Sequence, residues 1–160
     1  DLFKEDHSRK YVNFTQIDTD LEVMIPDEYV TNIGERYNLY NEIAKLENEQ
    51  HLVAFQRELE DRFGPIPPPV FELFNTLRLQ WFGKQIGFEK ISFKKNTLKG
   101  YFINNPKSSY FESDHFGRVL SFVQQHPQVS NLKEVKGQLR LALSNVNSID
   151  YALHLLQEMS

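Results

Sequence analysis

The chain contains no cysteine, and that alone removes disulfides and cysteine-ligated zinc. Its apolar runs are a few residues long, Leu141-Ala142-Leu143 among them, far short of the roughly 20 residues a membrane-spanning helix needs. No basic-apolar leader opens the chain, because Asp1 is soon followed by further charges. With no cysteine and no export signal, a cytoplasmic protein is expected. There is no initiator methionine, so a piece of a longer protein is also expected. The seven glycines form neither a phosphate-cradling loop nor a dinucleotide fingerprint, and no Gly-x-Ser-x-Gly elbow occurs. The five histidines (His7, His51, His115, His126, His154) lack metal-ligand spacing. Asp18-x-Asp20 lacks the other ligands of a calcium loop. The expectation is therefore no catalytic residues, no metal and no cofactor: a chain that is not itself an enzyme.

What is present is a 160-residue sequence that is 40% hydrophobic, enough for one sizeable core and too much for disorder. The net charge of −4 is unevenly spread. Residues 27–62 hold 9 acids against 4 bases, whereas residues 84–140 hold 10 bases against 4 acids. An acidic total argues against direct DNA binding, yet one half can present an acidic face and the other a basic one.

Residues 1–19 are polar without steady periodicity and read as a linker or arm; residues 20–160 read as a single domain. Asp20–Ile25 alternates polar and apolar and is expected to be a half-buried strand ended by Pro26. Three helices should follow. The first, over about 31–47, would be amphipathic, with Ile33, Tyr37, Tyr40 and Ala44 at helical spacing and Ile43 beside them. The second, capped by Asn48, would bury Leu52, Phe55, Leu59 and Phe63. Gly64 in a left-handed conformation and Pro65, Pro67, Pro68 and Pro69 would end it. The third, with Pro68 or Pro69 in its first turn, should be the most buried, since Val70, Phe71, Phe74, Leu77 and Trp81 surround it.

Beyond Gly87 the period changes to two. Phe88–Lys94 and Leu98–Ile103 read as one hairpin; Val129–Val135 and Gln138–Leu143, around Lys136-Gly137, read as another. Between them Ser113 caps a helix bearing Phe116, Val119, Leu120 and Val123. At the end Asn147-x-x-Asp150 resembles a capping box for a helix with Ile149, Leu153, Leu156 and Met159 on one face. The expected class is α+β: three helices, then ββαββα with antiparallel hairpins.

Two features invite a functional reading. Glu58 and Asp61 lie three residues apart on one flank of the second helix, near its negative dipole end, the unfavourable place for acids unless a cation meets them. Read structurally, they are solubilising charges. The second is the basic half, where Lys90, Lys94, Lys95 and Lys99 alternate with Phe88, Phe93, Tyr101 and Phe102. That pattern fits either an autonomous nucleic-acid-binding sheet or core aromatics backed by lysines that protect strand edges.

Four segments, Ile25-Pro26-x-x-Tyr29-Val30, Arg36-x-x-x-Tyr40-x-x-Ile43-Ala44, Glu58-Leu59-x-Asp61-Arg62-Phe63-Gly64-x-x-Pro67 and Arg78-Leu79…Ile86-Gly87…Ile91, occur in order. Together they resemble the C-terminal domain of bacterial transcription-repair coupling factors over roughly residues 20–91. Gly83 and Phe88 depart from the family's more usual alanine and smaller aliphatic. The resemblance implies a non-catalytic regulatory domain of a DNA translocase of nucleotide excision repair that acts on stalled RNA polymerase. The domain would dock on the parent's UvrB-like module and mask the surface that UvrA uses. Glu58, Asp61 and Arg62 would be the partner-binding residues, residues 1–19 the connection from an upstream motor, and no membrane or cofactor would be involved.

Overall fold

The structure, a computed structural model, describes residues 11–160. It is α+β. Among the described residues there are five α-helices and a five-stranded sheet, in the chain order β1 (Gln16–Thr19), α1 (Ile33–Ala44), α2 (Glu49–Phe63), α3 (Pro68–Ile86), β2 (Phe88–Lys94), β3 (Thr97–Phe102), α4 (Asp114–Gln125), β4 (Ser130–Val135), β5 (Gln138–Leu143), α5 (Ile149–Met159), with a 3-10 turn at Ser109–Glu112 before α4. The chain divides into two compact units, one of Leu21–Arg78, the other of residues up to Asp20 together with Leu79–Ser160.

The Leu21–Arg78 unit is helical. Its helices start where the sequence supplies caps: the Asn32 and Asn48 carboxamides accept the amides of Glu35 and His51, each at 2.9 Å. Leu52, Phe55 and Leu59 are buried on α2, and the Phe55 ring meets Phe74 of α3 edge-on at 6.1 Å. Pro68 opens α3 in the first turn, where its missing amide hydrogen is not needed. Arg78 binds Glu49 through two hydrogen bonds of 2.7 and 2.8 Å and also reaches the Asn75 side chain at 2.7 Å, tying the start of α2 to α3. The arginine holds the Glu49 carboxyl below its ordinary value.

The other unit is built on the sheet, in the order β1-β2-β3-β5-β4. Both hairpins turn on two residues with positive φ, Lys95-Asn96 and Lys136-Gly137, the geometry that matches strand twist. One face carries Phe88, Ile91, Phe93, Leu98, Phe102, Leu141 and Leu143, all buried. Leu156 and Met159 of α5 line the same space as several of these, and Phe116 of α4 meets Phe102 edge-on at 5.6 Å. Beside them Tyr110 is fully buried and its hydroxyl donates to the Ile86 carbonyl at 2.6 Å; burial pushes that hydroxyl's pKa far up. Gly87, at φ +112°, leaves room for this ring, which any β-carbon there would strike.

Several expectations from sequence need correction. The strand expected at Asp20–Ile25 is not one. The strand is Gln16–Thr19, within the segment read as an arm; the part of that arm covering residues 1–10 lies outside the described residues. Its alternation was masked by polar side chains that serve the edge: Thr15 and Thr19 donate to the Phe88 and Phe93 carbonyls at 2.7 and 2.8 Å, and Asp18 pairs with Lys94 at 2.8 Å. At Ile25 the amide goes instead to the Tyr40 hydroxyl at 2.7 Å, so the inside-outside alternation there exists without a ladder.

Helix α1 buries Leu39 and Ile43, whereas Ile33 and Tyr37 are 76% and 68% exposed, so the predicted apolar face points outward. Helix α5 is capped by Ser148, one residue after the expected Asn147, with its hydroxyl accepting the Tyr151 amide at 3.1 Å. On α4, Leu120 is exposed, and His115, Val119 and Phe122 form the buried stripe. Gly64 has positive φ, as expected, but its ψ of −167° is extended rather than left-handed helical.

Candidate functional site

The last two turns of α2 carry the three residues singled out from sequence, Glu58, Asp61 and Arg62. Leu59 is 2% exposed and fixes which side faces inward; Glu58, Asp61 and Arg62 fall on the exposed side. Positions three apart place Glu58 and Asp61 on one flank, with β-carbons about 5–6 Å apart. Among the described residues neither carboxylate makes an ion pair. Arg62, in contrast, is engaged: its Nη2 lies 3.5 Å from the Glu35 carboxylate of α1, and its guanidinium sits 4.8 Å from the centre of the Phe63 ring. Arg36 is not available to these acids either. It donates to the Val30 carbonyl at 2.7 Å and pairs with Asp27 at 3.6 Å, clamping the turn before α1.

The end of α2 is held in place. The Gly64 amide closes on the Glu60 carbonyl at 2.8 Å, and the Tyr29 hydroxyl donates to the Gly64 carbonyl at 2.8 Å. The Tyr29 ring packs against Phe63 at 5.9 Å. Burial raises the pKa of that hydroxyl, and Glu60 adds to the rise. Next to this end a polar notch of about 180 Å³ is lined by Glu35, Asn38, Leu39 and Glu42 of α1 and Arg62 of α2. Sequence reasoning gave Glu58, Asp61 and Arg62 but missed Glu35. Its place in the first turn of α1 reads as a dipole-favoured acid, and no spacing rule connects it to Arg62.

The basic half resolves differently. Phe88, Phe93 and Phe102 are 1%, 5% and 0% exposed, so these rings are core and offer no stacking platform. Among the described residues no cluster of three or more His, Cys, Asp or Glu could hold a metal, and no helix is long and apolar enough to cross a membrane.

Fold and site together describe an α+β module whose singled-out residues are exposed charges. The TRCF domain family model matches residues 19–113. The chain belongs to that family. It is 29% identical over 116 residues to the transcription-repair-coupling factor of Escherichia coli K12, covering 71% of this chain and 9% of that protein. Against the transcription-repair-coupling factor of Buchnera aphidicola it is 24% identical over 148 residues, covering 89% of this chain and 20% of the relative. A crystal structure of the C-terminal domain of a transcription-repair coupling factor superposes with a TM-score of 0.72 at 17% identity, covering 91% of this chain and 90% of that one. The chain thus spans about a tenth of the length of the first of these relatives.

Proposed function

We propose that this chain is the non-catalytic regulatory domain of a DNA translocase of transcription-coupled nucleotide excision repair. Residues 20–160 act as one regulatory domain, docking on the parent protein's UvrB-like module in the cytoplasm and covering the surface that UvrA uses. The reading rests on family membership and on one observation: Glu58 and Asp61 are exposed and, among the described residues, without ion-pair partners on the flank of a rigidly ended helix. Unpaired acids at a helix C-terminus are mildly destabilising in isolation and favourable once a cation approaches. Arg62 joins them by giving up an exposed pair with Glu35 worth at most about 1 kcal/mol. Tethering makes a weak interface sufficient, because the two modules share a high effective concentration. Engagement with stalled RNA polymerase would favour the undocked state and release the UvrA surface.

The test is the double reversal Glu58→Lys with Asp61→Lys. The variant should melt at or slightly above the wild-type temperature, bind the isolated UvrB-like module more weakly at low salt, and lose that difference at high salt as screening removes the Coulomb term. In the full-length protein it should increase UvrA binding. A folded double variant that docks with unchanged affinity at low salt removes these residues from the interface.

A further inference from the structure

The outward face of the sheet carries a ligand chemistry that the docking site does not use. Strand register places Gln16, Lys90, Tyr101, Arg140 and Lys133 in one row across all five strands, in the order β1, β2, β3, β5 and β4. One step along lies the row Asp18, Ser92, Lys99, Ala142 and Asn131, and beyond it Lys94 opposite Thr97. The face therefore holds five cations, Lys90, Lys94, Lys99, Lys133 and Arg140, against two acids: Asp18, which is paired with Lys94, and at its rim Glu89, which accepts from the Asn104 amide and the Gln138 side chain. Lys90 to Lys133 spans about 14 Å, three strand spacings. Lys90 lies with its ammonium 5.4 Å from the centre of the Tyr101 ring, and the Arg140 Nε is itself buried, without a hydrogen-bond partner among the described residues. The chain's net charge of −4 conceals this face, because the acids lie mostly elsewhere.

We propose that this face binds the phosphodiester backbone of a single-stranded nucleic acid without sequence preference. A protein partner is the weaker fit, because protein interfaces rest on clustered apolar anchors and the face offers only Tyr101, with the Lys90 ammonium beside its ring, and the small Ala142 and Val135, all half-buried. A polyanion needs cations in a line and little else. A duplex is also the weaker fit: a sheet face projects no helix or ribbon into a groove, while a flexible strand can follow the row and reach Lys99. The site is independent of Glu58 and Asp61, and it stands whether or not they dock.

The experiment titrates the full chain into a labelled 20-nucleotide oligo(dT), with a matched duplex and poly-glutamate as competitors. Binding is expected with a Kd of roughly 1–100 μM near physiological salt, and with a slope of log K against log salt of about −3 for four freed cations. Lys90→Gln, Lys99→Gln, Lys133→Gln and Arg140→Gln together should weaken binding at least tenfold and flatten the slope. Lys99→Gln with Lys133→Gln, which leaves the half-buried arginine untouched, should lose about half the slope if the larger variant fails to fold. No binding at 50 mM salt, or unchanged affinity in either folded variant, overturns the proposal. Poly-glutamate competing as well as the oligonucleotide would reassign the face to an acidic protein, and tighter duplex binding would overturn the choice of a single strand.

Discussion

The two compact units handle apolar surface in opposite ways. In the sheet unit, strand alternation sends Phe88, Phe93 and Phe102 inward and lysines outward, and the three rings are almost wholly buried. In the helical unit, α1 carries two apolar stripes. Leu39 and Ile43 go inside, while Ile33 and Tyr37 stay in solvent. A strand has only two faces, so one buried residue fixes its neighbours. A helix can be turned about its axis, and the choice between two apolar stripes is left to packing.

This contrast predicts graded effects. The largest should come from the cores. Phe74→Ala in the helical unit and Phe102→Ala in the sheet unit should each cost about 3–5 kcal/mol, because both rings are fully buried and leave cavities. Trp81→Ala should cost clearly less, since Trp81 is only half-buried. Equal melting-temperature losses for Phe74 and Trp81 would contradict the burial described for α3.

The next effect is electrostatic. Glu49 has its pKa lowered by the Arg78 hydrogen bonds, so its contribution is present above the unfolded value near 4.5 and is lost as pH falls below it. Glu49→Gln should lower stability at pH 7 by up to about 1 kcal/mol, the side chain being largely exposed, and the gap from wild type should close in acid. A gap that persists at pH 2 would mean that the two residues interact through packing rather than charge.

The smallest effect sharpens the comparison most. Ile33→Ser and Tyr37→Ser should change stability by no more than about 0.5 kcal/mol, whereas Leu39→Ser should cost several times that. A large loss at Ile33 would restore the face expected from sequence.

How much was legible follows the same division. The hairpins could be read because turn residues and period two agree at Lys95-Asn96 and Lys136-Gly137. The caps Asn48 and Ser113 could be read because side-chain acceptors stand just before helical periodicity. β1 could not be, because its pairing depends on side chains meeting a strand more than 70 positions away. At the candidate site the exposed flank of Glu58 and Asp61 followed from Leu59 and Phe63, which mark the opposite side of the helix. The Arg62–Glu35 pair did not, since two helices must pack before it exists.

The short parallel strand β1 also bears on the order in which the molecule assembles. Its pairing with β2 joins Gln16 to Lys90. Closing so long a loop has a high entropic cost that four residue pairs recover only once β2 and β3 are formed. β1 should therefore be a late addition in refolding and the first strand to open natively. In hydrogen exchange its amides should lose protection at a lower free energy than those of β3, which is held between two neighbours. Each opening would leave the β2 edge briefly unpaired, a vacancy that an extended segment of another chain could fill.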